Sequence, residues 1–184
     1  MNTLFKIAAV CATLAMGGCA LDGAPRADTR PAEFDFIATN YAAANELLKQ
    51  MQPKLPAGSA IIMATLVNID ALETSSTLGR GVSEQITTRF SQVGYSMIEM
   101  KFRDSVYLKR NEGELMLTRE ISLLAKAHNA NAVIVGTYAE AGATVFINLK
   151  VIDPNTNVVM AATDYALPMT HDVRSLLGKR PQRF

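Results

Sequence analysis

Ser59-Ala60-Ile61-Ile62-Met63-Ala64-Thr65-Leu66-Val67-Asn68-Ile69-Asp70 is the stretch on which the fold turns. It is apolar at nearly every position through Leu66, and such continuous hydrophobicity, without alternation, predicts a strand covered on both faces. The sequence after it repeats Leu78, Val82, Ile86, Phe90 and Val93 at helical spacing. Ser75, Ser76 or Thr77 is available to cap the start of that helix, and Gly94 to close its end. A second strand follows at 95–100, and a third, Ala132 to Ala139, reads AVIVGTYA. Strand, helix, strand, helix, strand requires parallel pairing with right-handed crossovers.

Before the stretch, Ile37, Tyr41, Ala44, Leu48 and Met51 recur at steps of four and three over residues 35–52. They predict a first helix with that stripe inward, stopped by Pro53 and by Pro56-Ala57-Gly58. Beyond it, residues 104–117 read as a small hairpin turning at Asn111-Glu112-Gly113. Thr118 and Glu120 suit the start of a third main helix with Ile121, Leu124 and Ala125 inward, ending near His128-Asn129-Ala130-Asn131, where asparagine tolerates the left-handed conformation. In 144–153, Val145, Ile147, Leu149 and Val151 alternate, and Pro154-Asn155-Thr156-Asn157 turns the chain into 158–167. This ending predicts an antiparallel meander with one wet face. The expected fold class is therefore α/β, a single domain with a mixed sheet, parallel first and antiparallel last, with helices packed on it.

The chain opens with a short cationic segment ending at Lys6 and an apolar run from Ile7 to Met16. That run has signal-peptide length and is shorter than the roughly 20 apolar residues a membrane span needs. Leu14-Ala15-Met16-Gly17-Gly18-Cys19 resembles the lipobox of bacterial lipoproteins, with Met16 where leucine is commonest. The resemblance implies cleavage before Cys19, acylation of that cysteine and, with Ala20 rather than aspartate after it, the outer membrane. Residues 20–33 (ALDGAPRADTRPAE) read as a tether. The expected organisation is a signal peptide over 1–18, a lipidated tether over 19–34, a folded domain over 35–170 and a basic tail over 171–184. The tail is expected to be loose apart from a short helix around residues 173–177.

Composition excludes several functions. Of 18 basic residues only Lys6 precedes Cys19, so 17 face 17 acidic residues in the remaining 166. That balance points to neither nucleic acid nor an acidic substrate. Cys11 falls in the signal and leaves Cys19 without a disulfide partner. His128 and His171 stand 43 positions apart with no thiol near them, so no metal site and no cofactor is expected. His128 reads as a helix-end residue and His171 has no assigned role. Leu78-Gly79-Arg80-Gly81 lacks the spacing of a phosphate-binding loop and is better explained by small residues at a strand-to-helix turn or by close helix-sheet packing. The pairs Glu112 with Glu114 and Asp70 with Glu73 read as solvated turns, and no serine sits in a nucleophile elbow. No catalytic residue is assigned. Arg80, Arg174, Lys179, Arg180 and Arg183 are the candidates for contact with an anionic partner.

Four segments in order carry a family resemblance: Gly79 to Ile86 leading to Gly94-Tyr95, Glu114 to Glu120, Ala130 to Tyr138, and Val145 to Leu149 running on to Leu167-Pro168. Behind a lipobox, this order resembles the FlgO family of outer-membrane lipoproteins, which are associated with flagella and motility. The resemblance spans residues 35–168 and implies a sheet domain akin to the TolB N-terminal region. It also implies a non-enzymatic lipoprotein on the periplasmic face of the outer membrane, with a flagellar or other envelope protein as partner. The alternatives are a component or regulator of another envelope machine, such as a peptidoglycan synthase or secretion complex, and, from a different class, an envelope hydrolase with an unrecognised site. Gene neighbours separate the first two, and a deep polar pocket with an ionisable pair would mark the third.

Overall fold

The computed structural model describes residues 34–72, 74–99, 123 and 125–179. Helix α1 spans Phe36–Met51, capped by Asp35, whose carboxylate accepts from the Ala38 N–H at 2.9 Å. Strands β1 (Ala60–Met63) and β2 (Val67–Asn68) follow, then helix α2 (Thr77–Gln92) and strand β3 (Ser96–Glu99). Strands β4 (Ala132–Ala141), β5 (Thr144–Ile152) and β6 (Val159–Pro168) lead to the short helix α3 (His171–Leu176).

The sheet runs β3-β1-β4-β5-β6, with β2 beside β4. β1 pairs in parallel with β3 and β4, and β2 in parallel with β4. β4, β5 and β6 are antiparallel. This is the mixed sheet that the element order predicts, parallel in its first part and a meander at its end.

α1 and α2 pack together on one face, and the main core lies beneath them. Leu78, Val82, Ile86 and Phe90 on α2 are all fully buried, each contributing roughly 1.5–3 kcal/mol. Ser76 caps that helix, and Gly94 follows it at φ +96, a backbone conformation that needs no Cβ. Along β5, Val145, Ile147, Leu149 and Val151 are inward as their alternation predicts. The opposite face is covered at its parallel end, where Ala125 and Ala130 pack on Ile62 and Val133. Residues 125–127 are helical and end at Asn129 with φ 52, the left-handed asparagine expected there.

Two expectations change. The run 59–70 is not one strand: residues 64–66 separate β1 from β2. Leu66 turns its backbone to α2 instead, donating N–H to Ser83 Oγ at 3.0 Å while its carbonyl accepts from Ser75 Oγ at 2.7 Å. The stripe of α1 is rotated: Asn40, Ala43, Ala44, Leu47, Leu48 and Met51 are buried, whereas Ile37 is 53% exposed. The polar Asn40 takes an inward place because partners await it there. The short helix expected in the tail is α3, which starts two residues earlier than expected. Thr170 caps α3 and Val173 is buried in the main core. The expected hairpin over 104–117 and the start of the third helix at Thr118, Glu120, Ile121 and Leu124 lie outside the described residues.

Candidate binding surface

Arg80 lies in the first turn of α2, exposed, with its guanidinium donating to Thr77 Oγ1 at 3.1 Å. Gly79 beside it is there for packing: a Cβ at that position would stand 2.5 Å from the Leu66 carbonyl oxygen and 2.8 Å from Ser75 Oγ. Gly81 has nothing nearer than Phe36 at 4.0 Å and carries no such constraint.

Arg174 is in the last turn of α3. Lys179 is not a free cation, since its ammonium lies 2.5 Å from a Glu140 carboxylate oxygen. Among the described residues no hydrogen bond or ion pair joins Arg80 to Arg174 or Lys179. Cys19, Arg180 and Arg183 lie outside the described residues, as do Glu73, Glu112 and Glu114.

His128 and Asp70 are exposed. His171 faces Asp172 at 3.4 Å, both in solvent. Asp153 stands in the β5–β6 turn, where the Asn155 N–H and the Thr156 hydroxyl bond its carboxyl and hold it below the usual carboxylate range. Among the described residues no group of three or more histidine, cysteine, aspartate or glutamate side chains is placed to hold a metal ion. No described helix is long and apolar enough to cross a membrane.

A buried polar bridge was missed by sequence reasoning. The Tyr165 hydroxyl donates to Asn40 Oδ1 at 2.5 Å, and Asn40 Nδ2 donates to Gln85 Oε1 at 2.5 Å, tying β6, α1 and α2 together. Burial pushes the Tyr165 phenol well above its ordinary 10.0, because the charged form would lose hydration there. A lone asparagine on an apolar stripe gave no signal of its own.

Among the described residues nothing covers the meander on the face of the sheet away from α1 and α2. In register across it stand Ala139, Phe146 and Ala166, and beside them Thr137, Asn148 and Asp164. Phe146 and Ile69 are each 53% exposed there. Phe146 occupies the outward phase of the β5 alternation, which is the signal that would have revealed it.

β6 is the outer strand of this face, and its free edge is only partly closed. The Gln50 carboxamide bonds Ala162 twice, donating to its carbonyl at 2.9 Å and accepting from its N–H at 3.1 Å. Lys54 donates to the Met160 carbonyl at 2.5 Å. Such polar side chains laid along a strand edge discourage indiscriminate pairing.

Comparison with known proteins places these features. A family model described as FlgO protein matches residues 41–172. No curated protein matches the sequence. Among solved structures, the C-terminal domain of LpoB from Escherichia coli superposes with a TM-score of 0.53 at 11% identity, covering 73% of this chain and 98% of that one. The same domain from Salmonella enterica gives 0.48 at 11% identity, covering 68% and 94%. The Escherichia coli superposition shows a shared fold.

Proposed function

Taking as premise that this chain belongs to the FlgO family, we propose that it is a non-enzymatic lipoprotein on the periplasmic face of the outer membrane. Acyl chains on Cys19 anchor it, and it supports flagellar assembly or stability by binding a protein partner. The observation that carries this reading is the family match across residues 41–172, in a chain whose residues 14–19 resemble a lipobox. A single acyl chain holds a protein only marginally, at ~0.8 kcal/mol per buried methylene, whereas bacterial lipoproteins typically carry three. The tether of residues 20–33 would then give the domain reach, on the order of 45 Å when fully extended.

The described residues offer a binding geometry: an ordered sheet with an open apolar strip, and scattered cations in place of a convergent acid-base pair. Arg80, Arg174, Arg180 and Arg183 are proposed partner contacts, with Lys179 available only when it leaves Glu140.

A second reading rests on the fold shared with the Escherichia coli LpoB domain, because one architecture serves several roles. In it the chain is a regulator or component of another envelope machine, such as a peptidoglycan synthase or secretion complex. Deleting the gene separates the two. The flagellar reading expects lost or unstable flagella and reduced swimming, restored by the full chain, while normal flagella with a cell-wall or export defect favour the second.

A further inference from the structure

We propose that the unblocked end of the β6 edge, Thr163 to Leu167, is the partner-binding site, and that it takes a short extended segment of another protein as an added strand. That segment carries a basic residue two positions from an apolar one. This deepens the protein-binding reading above and rests on it.

Gln50 bonds both the N–H and the C=O of Ala162, so in the regular register from Ala161 onward residues 162, 164 and 166 direct their backbone groups away from β5. At Ala162 those groups meet Gln50, and the Met160 carbonyl beside them accepts from Lys54. At Asp164 and Ala166 they have no hydrogen-bond partner among the described residues. The way a carboxamide sits on Ala162 displays what this edge accepts, an amide donor and acceptor in the sheet plane, and two further positions stand open for the same chemistry.

The side chains next to that opening define the guest. Asp164 is an exposed carboxylate, held outward by Asn148 Nδ2 at 2.5 Å. Opposite it a cation is favoured. Two residues on, Ala166 is exposed beside Phe146, and an apolar guest residue there covers the open strip.

A second copy of this chain fits poorly. Centred on Asp164, two antiparallel β6 edges run into Gln50 and Lys54 and oppose Asp164 with its own copy. A pairing centred on Tyr165 sets Pro168 of each copy against Gln50 of the other. When the pairing is centred on Ala166, it requires an N–H that Pro168 lacks and a Pro168 carbonyl that already accepts from the Thr170 N–H at 2.7 Å. A guest of about five residues avoids all three conflicts.

The test uses the full chain in detergent and a fluorescent peptide, Ser-Thr-Phe-Thr-Lys-Thr-Ser, which lies antiparallel to β6 with Phe opposite Ala166 and Lys opposite Asp164, read by anisotropy. The expected result is saturable binding, weakened at least about tenfold (about 1.4 kcal/mol) by N-methylation of the Lys and Phe amides. Ala166→Pro, which removes one edge N–H at a position where an edge strand tolerates proline, should weaken it equally. Asp164→Lys, which leaves the backbone intact, should reverse the preference between this peptide and one with Glu for Lys. No binding, or binding indifferent to N-methylation and to both substitutions, overturns the proposal. So does a dimer of the full chain that Ala166→Pro dissolves, since the edge would then belong to a second copy. The flagellar reading fails separately, in the deletion strain, whatever the peptide does.

Discussion

Gly79 and Gly81 stand two residues apart in α2 and meet opposite surroundings. At Gly79 a methyl would stand 2.5 Å from the Leu66 carbonyl oxygen, a backbone atom that cannot swing aside as a flexible side chain would. Gly79→Ala should therefore destabilise by about 1–3 kcal/mol, lowering Tm by roughly 2–4 °C per kcal/mol for a chain of this size. Gly81→Ala should be neutral or raise Tm, since alanine is the better helix former by about 0.5–1 kcal/mol. Thermal unfolding of the two variants distinguishes packing from a ligand role, and equal effects would remove the contrast. Close packing was one of two readings open to the Gly-Arg-Gly sequence, and which glycine makes the approach was not legible, because the contacting atom comes from Leu66 in the link between β1 and β2. Asn40 belongs to the same scale. Asn40→Ala leaves the Tyr165 hydroxyl and Gln85 without their partner and should destabilise by about 1–3 kcal/mol. The Tyr165 phenol has its pKa raised in the folded chain, so its contribution is complete below a tyrosine's ordinary 10.0 and is lost as pH rises beyond it. Stability should fall from about pH 10 upward, and more shallowly in Tyr165→Phe. The same alkaline slope in both proteins would assign the loss elsewhere.

At the level of elements, the joint between β1 and β2 is made by α2. Ser83 accepts from the buried Leu66 N–H while donating to the Gly79 carbonyl at 2.9 Å. Ser83→Ala orphans that N–H and should lower stability by about 1–3 kcal/mol, with faster hydrogen exchange at Leu66 as its local signature. Unchanged exchange there would contradict the joint. This joint also explains a failure of reading. Ser59 to Asp70 looks like one strand because its apolar residues favour extension, and nothing local says that Ser83 on the next helix and Ser75 just before it will take the Leu66 peptide. α1 misled differently. Its stripe was chosen on side-chain hydrophobicity, which put Ile37 inward, whereas the buried face is set by Asn40 and its two partners. β5 was read correctly, since a sheet with one wet face prints its burial directly onto alternate residues. The β6 edge could not be read at all, because Gln50 and Lys54, which close half of it, lie more than 100 residues earlier in the chain.

For the whole molecule, the order of elements decided the architecture, and parallel strands followed by a meander are what the sheet contains. The binding surface was only half legible: Phe146 shows in the alternation, whereas its alignment with Ala139, Ala166 and Asp164 exists only once the strands are in register. The candidate cations rest on charge and, for Arg80, on its place at a helix start, and Lys179 meets Glu140 in the folded chain. Function on this account joins two separable parts, an anchor at Cys19 and a sheet domain that binds. The domain's stability should not depend on the anchor, so Cys19→Ser should unfold at the same temperature as wild type while leaving the membrane fraction. The most direct test of the joined account is the position of the tagged chain relative to the flagellar base, in wild type and in Cys19→Ser. The account predicts foci at the base for the wild type and a diffuse periplasmic signal with reduced swimming for the variant. A wild-type signal spread evenly around the envelope, or foci and full swimming retained by Cys19→Ser, would contradict it.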